Sequence, residues 1–155
     1  MSTSGQSVAE SNNFLALEPL LVATVKAAVA GISPAVHVLT AADLADVKES
    51  AQRTPAVHII YGGYRVAEDL ATAWRLAHTW YAVVAVRNVA TQRSGEAARA
   101  AAGPLLALVM GALAGSSFAG LTHALELTTP PRPEWRNGVQ YLPSAFIAET
   151  IFRKP

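Results

Sequence analysis

The sequence predicts an α+β fold, a mostly antiparallel sheet with two main helices packed on one of its faces, and three observations carry that reading. Residues 74–88 alternate without interruption, with Trp74, Leu76, His78, Trp80, Ala82, Val84 and Val86 on one side and Arg75, Ala77, Thr79, Tyr81, Val83, Ala85 and Arg87 on the other. Residues 139–153 make a second long strand. Residues 14–32 and 96–113 follow helical rather than alternating patterns. The first strand is apolar on both sides through its middle. Helices on one face of the sheet therefore leave a second apolar face, and another copy of the chain is the expected cover for it.

Asn12 or Asn13 caps a helix in which Phe14, Leu17, Leu21, Val25, Ala28 and Ile32 recur at three- and four-residue steps, ended by Gly31 and Ser33-Pro34. Residues 35–39 read as a short strand. Thr40 and Asp43 have capping-box spacing and open a second, shorter helix, with Leu44, Val47 and Ala51 expected inward. Pro55 precedes a strand over 56–61 that groups Val57, Ile59 and Tyr61, and Gly62-Gly63 marks its end or a bulge. After the long strand, residues 92–95 form a polar break in which Ser94 caps the helix over 96–113. Pro104 is expected to kink or divide that helix, and Gly115 to stop it. Residues 123–128 are a strand, and TTPPRPEWRNG at 128–138 is a stiff loop ending in an Asn-Gly turn signal. In the final strand, Pro143 calls for a sheet edge or a bulge. Residues 1–13 read as a flexible arm and 14–155 as one domain.

The 155 residues are enough for one domain with a sizeable core. A net charge of +1, with charged residues at 15%, leaves no electrostatic footprint for wrapping nucleic acid. The absence of cysteine excludes disulfides, thiol catalysis and thiolate zinc sites. The polar N-terminus lacks the basic start and apolar core of a secretory signal. Residues 100–125 carry no formal charge over a membrane-spanning length. They also contain Gly103, Pro104, Gly111, Gly115 and Gly120 with no flanking Lys/Arg cluster, so a buried helix followed by a turn is the better reading.

No residue is assigned a catalytic, cofactor-binding or metal-binding role. His37, His58, His78 and His123 are the only side chains poised for proton transfer near neutral pH, and each stands alone, without metal-ligand spacing. GSSFAG at 115–120 misses the Gly-x-Ser-x-Gly spacing of a nucleophile elbow, and no GK[ST] follows Gly62-Gly63. A small enzyme or ligand-binding domain, the competing reading, would have to bring His37, His58 or His78 to Glu126 or Glu149 in a concave site. The aromatics say more. Trp80 is expected in the core, and Trp135, in a proline-rich stretch with Arg132 and Arg136, at an interface.

Taken together, the first amphipathic helix, the short strand, PAVHIIYGG at 55–63, TWYAVVAVRN with its Trp80, the alanine-rich helix closing on LAG and the long last strand resemble a phage tail terminator protein, of the kind found in Mu-like prophages and among the minor tail proteins of siphophages. The resemblance covers residues 14–153 and is one of architecture and apolar anchors. It implies a ring, usually of six subunits, at the head-proximal end of the tail tube in the virion, assembled in the host cytoplasm. Such a ring ends tube polymerisation and offers the docking face for the head's neck. The implied partners are other copies of the chain, the major tail tube protein and a head-completion or neck protein. Genomic DNA would pass through the lumen without sequence-specific contacts, and no active site, cofactor or membrane is implied. A head-closure ring protein of the same neck is the alternative. No functional residue transfers by motif. From strand length and terminal charge, Trp74, Arg75, Tyr81, Arg87, Ile147 and Phe152 are expected at the subunit boundary, with Arg132, Trp135 and Arg136 docking a partner.

Overall fold

A computed structural model describes residues 12–87 and 96–155, with side chains described for all of these except 96–100. Most of the expected arm and the Ser94 cap lie outside the described residues. The helices are α1 (Glu18–Val29), the single turn α2 (Ala41–Leu44) and α3 (Glu96–Leu113). The strands are β1 (His37–Thr40), β2 (Ala56–Asp69), β3 (Ala73–Arg87), β4 (Glu126–Thr128), β5 (Glu134–Arg136) and β6 (Val139–Arg153). They form one sheet in the order β1-β2-β3-β6-β4, with β5 also paired to β6. Only β1 and β2 pair in parallel, so the sheet is mixed but mostly antiparallel.

β3 is the spine. It pairs with β2 on one flank and along its whole length with β6 on the other, Ala73 opposite Arg153 through Arg87 opposite Val139. Its even-numbered side chains meet both long helices. Leu17, Leu21, Val25 and Val29 from α1 and its approach, and Ala102, Leu105, Val109 and Leu113 from α3, share one core with Val57, Ile59, Trp80, Ala82, Val84, Val86, Phe146 and Ala148. Each large side chain buried there contributes about 1.5–3 kcal/mol. The expected packing of two helices on one face is therefore present.

Several boundaries differ from the sequence reading. The Asn13 side chain accepts from the Leu15 N–H in a turn before α1, and Leu17 holds the N-cap position without a side-chain bond. The Thr40–Asp43 capping box is present, but α2 ends after one turn, leaving Val47 and Ala51 exposed. β1 begins at His37, and β4 has only three residues. β2 does not end at Gly62-Gly63. It passes through a bulge between Tyr61 and Tyr64, with Gly63 at φ 89°, and continues to Asp69. α3 runs through Pro104 undivided.

Two expectations about the C-terminal third are corrected. The stretch 128–138 is not wholly a loop, because Glu134–Arg136 pairs with Val139–Tyr141 in a hairpin. Asn137 (φ 51°) and Gly138 (φ 78°) supply the two left-handed residues its turn needs. β6 is also not an edge strand over its length, since β3 lies on one flank and β5 and β4 on the other. Pro143 falls in the gap between the segments that β5 and β4 cover. Its nitrogen points to the same flank as the Glu149 carbonyl, which accepts from the Thr122 N–H, so the missing donor breaks no ladder bond.

Candidate functional site

The sheet face turned away from the helices is built from the alternate residues of the same three strands. Its rows are set by register: Ala56, Ala85 and Tyr141; His58, Val83 and Pro143; Ile60, Tyr81 and Ala145; then Thr79 with Ile147. Ala56, Ala85, Pro143 and Ala145 are buried among their neighbours, while Ile60, Tyr81, Val83 and Ile147 are half-buried. A one-sided antiparallel sheet ordinarily alternates apolar inward with polar outward. Apart from His58, this one is apolar on both sides through its centre.

Tyr81 is fixed by a glycine. A Cβ on Gly62 would lie 2.5 Å from the Tyr81 ring, so the ring rests against the β2 backbone only because position 62 has no side chain. The aromatic ring is thus seated against the β2 backbone on the open face.

Both ends of this face are charged, and several of the charged side chains are bonded within the chain. At one end a 3₁₀ turn, Glu49–Ala51, folds over the sheet. The Glu49 carboxylate accepts from the Tyr141 hydroxyl, from Asn137 Nδ2 at 2.7 Å and from Arg136 Nε at 2.9 Å. These donors, Tyr141 first, pull its pKa down to about 2, and burial together with the same bond pushes Tyr141 up to about 12. Arg87 donates to the backbone carbonyls of Ser50 and Glu49 at 3.0 and 2.6 Å. At the other end Arg75 pairs with Glu68 and, at 3.2 Å, with Glu149. His123 lies 3.5 Å from Glu126 and 3.7 Å from Glu149. The Ala124 carbonyl, ahead of these carboxylates, raises its pKa.

The residues expected at a subunit boundary divide between the two faces. Arg75, Tyr81, Arg87 and Ile147 lie on the open face, whereas Trp74 and Phe152 pair with each other on the helical side. There they stack at 5.7 Å, Lys154 lies 5.0 Å above Trp74, and Phe14 packs edge-on against Phe152, Tyr64 and His78. Of the expected docking trio, Arg132 is exposed and Trp135 is 37% exposed on β5. Arg136 is held by Glu49 and Glu134 and lies 5.1 Å from the Tyr141 ring centre. The sequence reading passed over Glu49 and Tyr141. Neither has a local signal, because their bond spans 92 positions.

The histidines do not form a catalytic site with the strand carboxylates. His78 is buried between the Tyr61 hydroxyl (2.7 Å) and Thr150 Oγ1 (2.9 Å), and His58 is buried with Nε2 unpaired. Burial lowers the pKa of both. Among the described residues, His123 is the histidine that meets Glu126 and Glu149, and it is exposed. The cavity beside His78, lined by Phe14, Leu17, Trp80 and Thr150, holds about 30 Å³, room for a water molecule and no substrate. Among the described residues no group of three His, Asp or Glu side chains could hold a metal, and no helix is long and apolar enough to cross a membrane.

No curated protein matches the sequence. A solved chain from the virion of a native gene transfer agent particle is similar in fold, with a TM-score of 0.53 at 18% identity over 88% of this chain and 98% of that one. The family model for the phage tail terminator protein matches residues 10–155. With nearly its whole length inside that match, this chain belongs to the phage tail terminator family, structural virion proteins of the tail that are not enzymes.

Proposed function

We propose that this chain forms a closed ring of six copies that caps the head-proximal end of a phage tail tube, ends tube polymerisation and presents the docking face for the head's neck. The observation that carries the proposal is the family match over residues 10–155. The open sheet face supports it. An apolar centre with a polar, charged rim is the anatomy of a protein contact. The ion pairs of Arg75 and Arg136 argue against a role for these two in holding DNA, since phosphate binding draws on cations free to release counterions. Genomic DNA then crosses the lumen without sequence-specific contacts. Arg75, Tyr81, Arg87 and Ile147 contribute to the boundary between copies from the open face, and Trp74 and Phe152 from the helical side. Trp135 and Arg136 face the neck or tube protein from the β5–β6 hairpin, and Arg132 from the stretch that leads into it.

Mass measurement on the purified protein and on assembled tails tests the ring, with six copies expected. A phage deleted for this chain separates the terminator from a neighbouring neck protein. Tails of abnormal length support the terminator. Normal tails beside leaking heads overturn it in favour of a neck protein.

A further inference from the structure

Between β4 and β5 the chain leaves the sheet and returns to it. Thr128 lies opposite Ala145 and Glu134 opposite Tyr141, so the connection from 128 to 134 makes six steps where β6 makes four. In extended form six steps reach ~19 Å against ~13 Å along the strand, and the connection therefore stands off the sheet edge. Its conformation follows from the sequence TPPRP at 129–133. Pro130, Pro131 and Pro133 have φ locked at about −65°, and Thr129, Pro130 and Arg132 each precede a proline, which disfavours helical backbone at all three. Such a run takes up the polyproline II helix, whose carbonyls have no internal partners. Every position from Thr129 to Pro133 is exposed, and among the described residues no loop or side-chain donor bonds one of these five carbonyls.

We infer that residues 129–133 are a ready-formed polyproline II ligand, which docks in a groove on a neighbouring virion protein that is lined by aromatic rings and carries a carboxylate at its edge. This rests on the docking reading above and names the chemistry of the contact. Pro130 and Pro133 stand three residues apart, on the same edge of a helix with three residues per turn, and aromatic-lined grooves take proline rings presented in that way. Because the prolines hold the backbone before contact, little chain freedom is lost on docking. Arg132, between them, is exposed and forms no ion pair among the described residues, whereas Arg136 is held by Glu49 and Glu134. Its guanidinium is the complement of the carboxylate on the partner. Leu127 and Trp135 bracket the run. Their pairing with Phe146 and Gln140 puts both on the helical side of the sheet, where they are 50% and 37% exposed and extend the apolar contact at either end. One cation among three prolines is a poor match for a phosphate backbone, so the occupant is a protein.

The absence of cysteine makes the test direct. The full chain carrying Thr129→Cys is labelled with a benzophenone maleimide, added to tails and heads from a phage deleted for this chain, and irradiated once particles have joined. A crosslink to a tube or neck protein is expected. Adding Pro130→Ala with Pro133→Ala, which loosens the run and removes two rings, should lower the crosslink yield and the number of joined particles about tenfold. Arg132→Glu should do the same, with Arg132→Lys recovering part of the loss. All these positions are exposed, so each variant should still melt cooperatively, and Arg132→Glu decides the question even if the proline variant does not fold. Undiminished crosslinking and joining in the variants would overturn the polyproline contact while leaving the docking reading intact. Crosslinks only to other copies or to DNA, or none in joined particles, would remove the docking reading and the inference together.

Discussion

The two faces of the sheet are built from alternate residues of the same strands and are similarly apolar at their centres, yet they play different parts. On the helical side Trp80 and Phe146 are 1% exposed, closed over by α1 and α3. One residue further along each strand, Tyr81 and Ile147 remain half-buried, with no helix above them among the described residues. An apolar side chain stabilises the fold only when the chain itself removes it from water. The helical face therefore carries stability, whereas the open face is the one proposed for assembly.

Changes on each face should break the comparison in opposite ways. The largest effect on folding is expected from Phe146→Ala, which opens a cavity under both helices and should cost about 3–5 kcal/mol in denaturant unfolding. Ile147→Lys, one residue away on the open face, should leave folding within about 1 kcal/mol, since the new ammonium can lie beside Glu126 on the neighbouring strand. Its effect should appear as loss of ring mass in solution, because a charge then enters an apolar contact. Rings of normal mass in that variant would move the boundary away from the open face.

The charged rim gives a pH test. The Glu49 pKa is depressed from 4.5 to about 2 in the folded chain, so its contribution is complete above about 4.5 and lost as pH falls toward 2. With solvent screening of these surface partners, Glu49→Gln should cost about 1–2 kcal/mol at neutral pH. The variant's stability should also fall less steeply than wild type between pH 5 and 2. Parallel curves would show that the turn is held by something other than this carboxylate.

Smaller effects sharpen the division. Gly62→Ala forces the Tyr81 ring to move and should cost about 1 kcal/mol in folding, with a larger proportional loss of assembly. Trp135→Ala, on the exposed hairpin, should change the melting temperature least of the set. Head-to-tail joining is the informative readout for it: joining lost at nearly unchanged melting temperature supports docking by the hairpin, while a large drop in melting temperature would make Trp135 a fold residue.

The local parts of this architecture were legible wherever the signal is short in sequence. The Thr40–Asp43 box, the bounds of α3 and β6, the Asn137-Gly138 turn and the alternation through Trp80 all follow from residues within a few positions of one another. β2 was read too short because Gly62-Gly63 has the composition of a strand end, and pairing with β3 carries the strand past it. Trp74 and Phe152 were grouped with Arg75 and Ile147 because strand length and end charge do not report which face a residue takes in the finished sheet.

The sequence by itself determined a cysteine-free α+β fold with two long strands, the first of them apolar on both sides through its middle, and no preassembled catalytic or metal motif. Periodicity and composition are local properties, and they suffice for that. Only the tertiary structure decided that Trp74 and Phe152 take the helical side while Arg75 and Ile147 take the other, that Glu49 reaches 92 residues along the chain to Tyr141, and that the Tyr81 ring rests against Gly62. Those outcomes depend on which strands become neighbours. Strand order is set by burial summed over the whole chain, which no short stretch of residues encodes.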